Sequence, residues 1–306
     1  MNLVDGFKPL FFLSRVFGMA PYTFNKNNME NSHLLTTYSS LLFLTNLTCQ
    51  SIFVIYILLN DSSSFVERLL QSLDSITFAV NCLGCTLLIL LRRKIMLNII
   101  QQLNNFSLKF LPQYRLRELK KLSIGLSIFS FCFSLVFSIT DGIVMLKTMK
   151  EVSLGIMYYL FLCSFIRILI CYLTCCHFVF YLTLIKLIHC FINKSLIKLS
   201  NCYKKNLKMI DSGGPEGKNY YLNGFKFLIE TDGWIKDLTE QCFSTFSLYG
   251  VCISAVVLFE IVYITVFYYM TSTALSELLA SIVLIFYFLS QFFGIVIVSV
   301  LSVQEV

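Results

Sequence analysis

Long apolar runs alternate along the chain with polar, lysine-bearing connections. Six runs, at 36–59, 69–91, 122–146, 155–181, 243–269 and 278–303, hold 152 residues. A membrane-crossing helix needs about 20 mostly apolar residues, so each run is long enough. The runs contain four Asp, Glu, Lys or Arg residues: Asp74, Asp141, Arg167 and Glu260. The two-residue alternation of a membrane β-barrel is absent. The pattern predicts an all-α, polytopic membrane protein with six transmembrane helices.

The connections predict its orientation. Positively charged short loops stay on the cytoplasmic side. The segment before the first span carries Lys8, Arg15 and Lys26; the connection after the second span carries eight Lys or Arg, and the one after the fourth carries nine. Those 20 cations face only Arg68, Lys147 and Lys150 on the other side. A cytoplasmic N-terminus and, after six spans, a cytoplasmic C-terminus follow. The expected layout is a cytoplasmic segment 1–35, four spans within 36–181, a cytoplasmic helical region 182–242, two spans within 243–303 and a short tail 304–306.

The connection after the fourth span carries a helical pattern of its own. Leu184, Ile188, Phe191, Leu196, Leu199, Tyr203 and Leu207 recur at near-helical spacing with lysines between them. This predicts that the fourth helix runs on into the cytosol as an amphipathic helix. The Gly- and Pro-bearing run 211–217 should break it. A second helix is expected from about Phe225, through Trp234 and Leu238, into the fifth span.

Composition narrows the class further. Charged residues make up 13% of the chain and hydrophobic ones 57%. A soluble domain carries about 25% charge, so a water-soluble enzyme is excluded. Disorder is excluded too, since it requires low hydrophobicity. The mean hydropathy of +0.76 agrees. The net charge of +7 is absorbed by the topology signal, and no nucleic-acid partner is expected. The 12 cysteines lie mostly in spans or cytosol, where no disulfide is expected. The apolar stretch 9–12 is too short for a cleavable signal peptide, so the first span would serve as targeting signal.

Signals for catalysis are missing. The three histidines are scattered, and no H-E-x-x-H, Walker loop or G-x-G-x-x-G occurs. Cys82 and Cys85 have metal-ligand spacing but sit in an apolar span without a second pair, which reads as core packing. No cofactor or metal is expected. The sequon at Asn60 abuts the first span too closely for glycosylation, and those at Asn46, Asn105 and Asn193 lie in a span or the cytosol.

The charges within spans carry more information, because charge at membrane depth needs a partner or water. Arg167 lies 12 residues below the outer end of its span and Glu260 nine below that of its own. At 1.5 Å per residue these depths are about 18 and 14 Å. The two are candidates for a buried ion pair. Asp74 and Asp141 sit about 8 Å below the outer surface by the same rise. With Tyr158, Tyr159 and Phe161 they form a candidate outer pocket for a small molecule, since such sites combine aromatics with a few polar groups.

A resemblance joins these observations. The opening segment places Pro9, Leu10, Ser14, Arg15, Gly18 and Pro21 ahead of the first span. It resembles the opening segment of insect gustatory receptors, which also have an inside N-terminus. The extended fourth helix and the run 235–243 into the fifth span resemble that family as well, so the likeness covers essentially the whole chain. The family has seven helices, and its seventh carries Thr-Tyr, five residues, then Gln-Phe. Here Gln291 and Phe292 are present, but Leu284 and Ile285 hold the Thr-Tyr positions. The last span follows a short uncharged loop, as the family's sixth helix does. The seventh helix is therefore read as missing, and the chain as a truncated form.

The resemblance implies a tetrameric ligand-gated cation channel in the plasma membrane. Each subunit would bind a tastant in its outer half, and its cytoplasmic segments would anchor homo- or hetero-tetramers. The pore would be lined by the seventh helix, so this chain alone is expected not to conduct. The insect odorant receptor shares the architecture and is the nearest alternative. A secondary transporter would also fit six spans, but related halves or interrupted mid-membrane helices are not evident. A structural membrane scaffold is the remaining class.

Overall fold

The computed structural model describes residues 3–25, 28–59, 65–110, 112–148, 154–212 and 214–271, with Phe286, Leu289, Phe293 and Val296, which are helical. Apart from these four, most of the sixth expected span lies outside the described residues. The elements in chain order are α1 (Leu3–Val16), β1 (Tyr22–Asn25), β2 (Asn28–Asn31), α2 (His33–Leu59), α3 (Phe65–Phe110), α4 (Gln113–Thr148), α5 (Leu154–Ser212) and α6 (Gly214–Thr271). Strands β1 and β2 pair antiparallel, with Tyr22 opposite Asn31.

The first five apolar runs each fall inside one helix, but several helices outrun them. Helix α3 has 46 residues, about 69 Å of rise, and does not end with its apolar run at 91. Beyond Arg92, Arg93 and Lys94 it continues to Phe110, burying Met96, Ile99, Ile100, Leu103 and Phe106. The break after α5 is also tighter than its Gly and Pro content suggested. Helix α5 ends at Ser212 and α6 starts at Gly214, not near Phe225. Pro215 falls in the first turn of α6, where its missing N–H has no helical acceptor to lose.

Helix α5 is the axis of the bundle. Helices α1, α3, α4 and α6 all pack on it, and from Ile168 to Tyr181 nearly every residue is buried. Its neighbours show an inverted distribution of polarity. Helix α4 turns Ser123, Ser130, Ser134 and Ser138 inward and leaves Ile128, Leu135, Val136 and Ile139 exposed. Ser130 Oγ lies 3.0 Å from Cys176 Sγ on α5. Small inward residues let two helix backbones approach closely, which is how helices associate in lipid. Helix α2 likewise exposes Leu41, Leu44, Ile52 and Ile55 and buries Ser39 and Gln50. So large an apolar exterior does not suit water. Among the described residues three helices are long and apolar enough to cross a membrane, over His33–Tyr56, Gln113–Thr140 and Phe161–Lys205.

Helix α1 is an element the apolar runs did not indicate. It lies along α4 in the same direction: Gly6 faces the Leu116–Lys120 turn, and Leu10 N–H donates to Ser123 Oγ at 3.1 Å. Its Phe7 and Phe11 are buried against α5, with ring centroids 4.5 Å from Phe180 and 4.9 Å from His177. Each such phenylalanine contributes about 1.5–3 kcal/mol through burial.

Beyond the apolar runs, α5 and α6 return antiparallel as a long hairpin. Tyr203 meets Tyr221, and Leu199 packs on Gly224. The extension of α3 joins them, where Trp234 stacks on Phe106 at 5.5 Å and donates Nε1–H to Gln102 Oε1 at 2.8 Å.

Candidate ligand-binding seam

Helix α5 presents Tyr159, Cys163, Arg167 and Cys171 at successive four-residue steps, which places them along one side of a helix. This side meets α2 and α3. The Tyr159 phenol lies beside the thiols of Cys49 and Cys163. Arg167 is 6% exposed, and its charge acts on Cys82, Cys163 and Cys171. From α2, Asn46 Nδ2 donates to Cys82 Sγ at 3.1 Å, and Gln50 Nε2 donates to Asn46 Oδ1 at 3.4 Å. From α3, Asn81 accepts from Cys85 Sγ at 3.8 Å. Asn81 is 1% exposed, and its Nδ2 has no hydrogen-bond partner among the described residues.

These groups share a level. Counted from the same end of the expected spans, Asn46 is 13 residues in, Asn81 12 and Arg167 12. At 1.5 Å per residue all three lie about 18–20 Å down. A guanidinium held at that depth costs about 3 kcal/mol or more, which makes Arg167 a functional-site candidate. A buried amide donor left open costs about 1–3 kcal/mol and offers a ligand acceptor or a water a place to bind.

The expected outer pocket is only partly addressed. Tyr159 faces the seam with Arg167. Phe161 instead lies against α4, 3.6 Å from where a side chain at Gly142 would begin. Tyr158 is 70% exposed. The side chains of Asp74, Asp141 and Glu260 lie outside the described residues, and with them the Arg167–Glu260 pair. Sequence reasoning missed Asn46, Gln50 and Asn81 because it weighed only full charges in the spans. Neutral amides in an otherwise apolar run were the available signal.

The Pro9–Pro21 segment acquires a physical reason at nearly every position. Ser14 Oγ donates to Leu10 O at 2.8 Å and lies 2.8 Å from His177 Nε2 on α5. Arg15 donates to Tyr22 O. Gly18 has φ +73°, with Met19 N–H bonded to Ser14 O at 2.8 Å and Gly18 N–H to Arg15 O at 3.0 Å. This pair of bonds is a Schellman stop, which places a left-handed residue just past the helix. Pro21 O accepts from Ser32 N–H at 3.2 Å, closing the base of the hairpin. Burial raises the pKa of the Tyr22 phenol, partly opposed by Arg93. It stays protonated and donates to Arg93 O at 3.1 Å. The motif is thus a folding device that docks α1 and turns the chain into α2.

The sequence pattern of the 7tm chemosensory receptor family matches residues 7–306. The chain belongs to this family. No curated protein matches the chain. The family is one of receptors, not of enzymes.

Proposed function

We propose that this chemosensory receptor is a gustatory subunit of the ligand-gated cation channel type, multi-pass in the plasma membrane with a cytoplasmic N-terminus. The taste assignment rests on the resemblance carried by Pro9, Leu10, Ser14, Arg15, Gly18 and Pro21. The sidedness rests on the 20-to-3 imbalance of cationic residues. The subunit binds a small-molecule tastant between α2, α3 and α5, and assembles with further subunits through the cytoplasmic α5–α6 hairpin.

One observation carries the binding reading. Arg167, Asn46 and Asn81 converge at one depth, and the Asn81 amide Nδ2 has no hydrogen-bond partner there among the described residues. A ligand that supplies a hydrogen-bond acceptor recovers the energy this buried donor forfeits. A tastant of that kind, a polyhydroxylated or carbonyl-bearing molecule, fits better than a hydrocarbon odorant.

The test is tastant-evoked calcium entry in cells co-expressing the chain with gustatory partners. Asn81→Leu is expected to raise the half-maximal tastant concentration by roughly 5- to 100-fold, the equivalent of one buried hydrogen bond. Surface labelling should be unchanged. Entry evoked only by apolar odorants would favour the odorant receptor instead. Substrate uptake without calcium entry would favour the transporter.

A further inference from the structure

A second feature lies at the opposite end of the bundle. Where α1 leans on α4, Asp5, Lys8, Pro9, Phe12 and Lys120 enclose an open cleft of about 550 Å³. Its chemistry is graded along the helix axis. Asp5 and Lys8 sit at the start of α1, with Lys8 Nζ 2.7 Å from Asp5 Oδ1. Phe12 is one turn further, about 6 Å, and 67% exposed. Val16, a further turn on, is 47% exposed. Opposite them on α4, Lys120 is exposed and lies two residues before the apolar run that starts at 122. The Leu10–Ser123 hydrogen bond fixes the levels of the two helices. The lysines therefore stand at the membrane boundary while Phe12 and Val16 reach into the apolar layer.

We propose that this cleft is a binding site for phosphatidylserine of the inner leaflet. The acyl chains lie along Phe12 and Val16, and the phosphate sits between the ammonium groups of Lys8 and Lys120. Lys8 spends one of its three N–H donors on Asp5 and keeps two for the phosphate. Asp5 in turn accepts from the ammonium of the serine head group. A phosphatidylcholine head group brings no N–H donor for Asp5 and no net charge for the lysines. Arg117, exposed one turn before Lys120, adds positive charge beside the cleft for the lipid's carboxylate. The assignment rests on the sidedness proposed above.

The full chain, purified in mild detergent, is offered equal amounts of phosphatidylserine and phosphatidylcholine, and retained lipid is counted by native mass spectrometry. The wild type is expected to retain phosphatidylserine preferentially. Each lysine near an anionic surface is worth roughly a five-fold change, so Lys8→Gln with Lys120→Gln should lower retention by about 30-fold. Lys8→Arg with Lys120→Arg should restore it. Arg92→Gln with Lys94→Gln, which removes charge from α3 outside the cleft, should leave it unchanged. Equal retention of the two lipids overturns the proposal. So does retention that survives the double Gln variant, or that falls equally in the α3 variant. Binding in detergent does not depend on sidedness. An N-terminal epitope tag stained on intact cells would refute the orientation alone.

Discussion

The left-handed stop at Gly18 makes a quantitative prediction. A side chain at this position meets two penalties. The first is conformational: φ is +73°, and a left-handed residue with a Cβ costs about 1–2 kcal/mol. The second is steric. A Cβ built on Gly18 would lie 3.0 Å from Leu42 Cδ1 and 3.3 Å from Ser39 Cα. The leucine tip can rotate away, but Ser39 Cα belongs to the α2 backbone and moves only with the helix. Together these predict a loss of about 1–3 kcal/mol for Gly18→Ala. In a chain of this size that is a fall of roughly 2–10 °C in the unfolding midpoint. Gly233 supplies the internal control. It lies inside α6 with nothing within 4 Å of an added Cβ. Gly233→Ala should gain about 0.5–1 kcal/mol, because alanine restricts the unfolded chain and favours helix. Both variants are measured in the same detergent by thermal unfolding. Opposite signs are required. Equal or same-signed shifts would refute the reading of Gly18 as the pivot that seats α1.

Three further outcomes follow from the packing. His189 is buried at the α5–α6 seam, Nδ1 3.6 Å from Asp232 Oδ1, and desolvation lowers its pKa from 6.5 despite Asp232, with Lys236 acting in the same direction as burial. The unfolded chain then takes up the proton first, so stability is full above about pH 6.5 and declines on acidification below it; His189→Asn should flatten the unfolding midpoint between pH 7.5 and 5.5. Ser134 Oγ is buried without a hydrogen-bond partner among the described residues, whereas Ser123 Oγ accepts from Leu10 N–H. Ser134→Ala should therefore be neutral or stabilising and Ser123→Ala destabilising by about 1 kcal/mol, a contrast that paired thermal unfolding curves would expose or deny. Trp234→Phe keeps the stack on Phe106 but loses the bond to Gln102, so the α5–α6 hairpin should open more readily by about 1 kcal/mol, visible as faster amide hydrogen exchange around 225–240.

Much of this architecture was legible from apolar run lengths, because a helix in lipid needs the same 20 residues whatever its neighbours do. What escaped depended on contacts between distant segments. Helix α1 has 14 residues with Pro9 inside, and its stability comes from Phe7 and Phe11 meeting α5, about 170 positions away in sequence. The α3 extension was readable, since Met96, Ile99, Ile100 and Leu103 keep helical spacing, but the charges at 92–94 read as a boundary. Those charges end the apolar run, not the helix, which continues to Phe110. The start of α6 was placed late because the glycines and Pro215 look like loop; a proline in a first turn breaks nothing. In the seam, Arg167 was found by its charge. Asn46 and Asn81 acquire meaning only when α2, α3 and α5 bring them to one depth.

Helix α5 runs unbroken for 59 residues. From Arg167 to Leu199 is 32 residues of one hydrogen-bonded ladder, about 48 Å. Such a rod behaves as a lever arm. A tilt of about 5° pivoting at the level of Arg167 displaces Leu199 and its contact at Gly224 by about 4 Å over that rise, most of a helical turn. Occupancy deep in the bundle therefore has a mechanical route to the far end of the molecule that needs no intermediate joint.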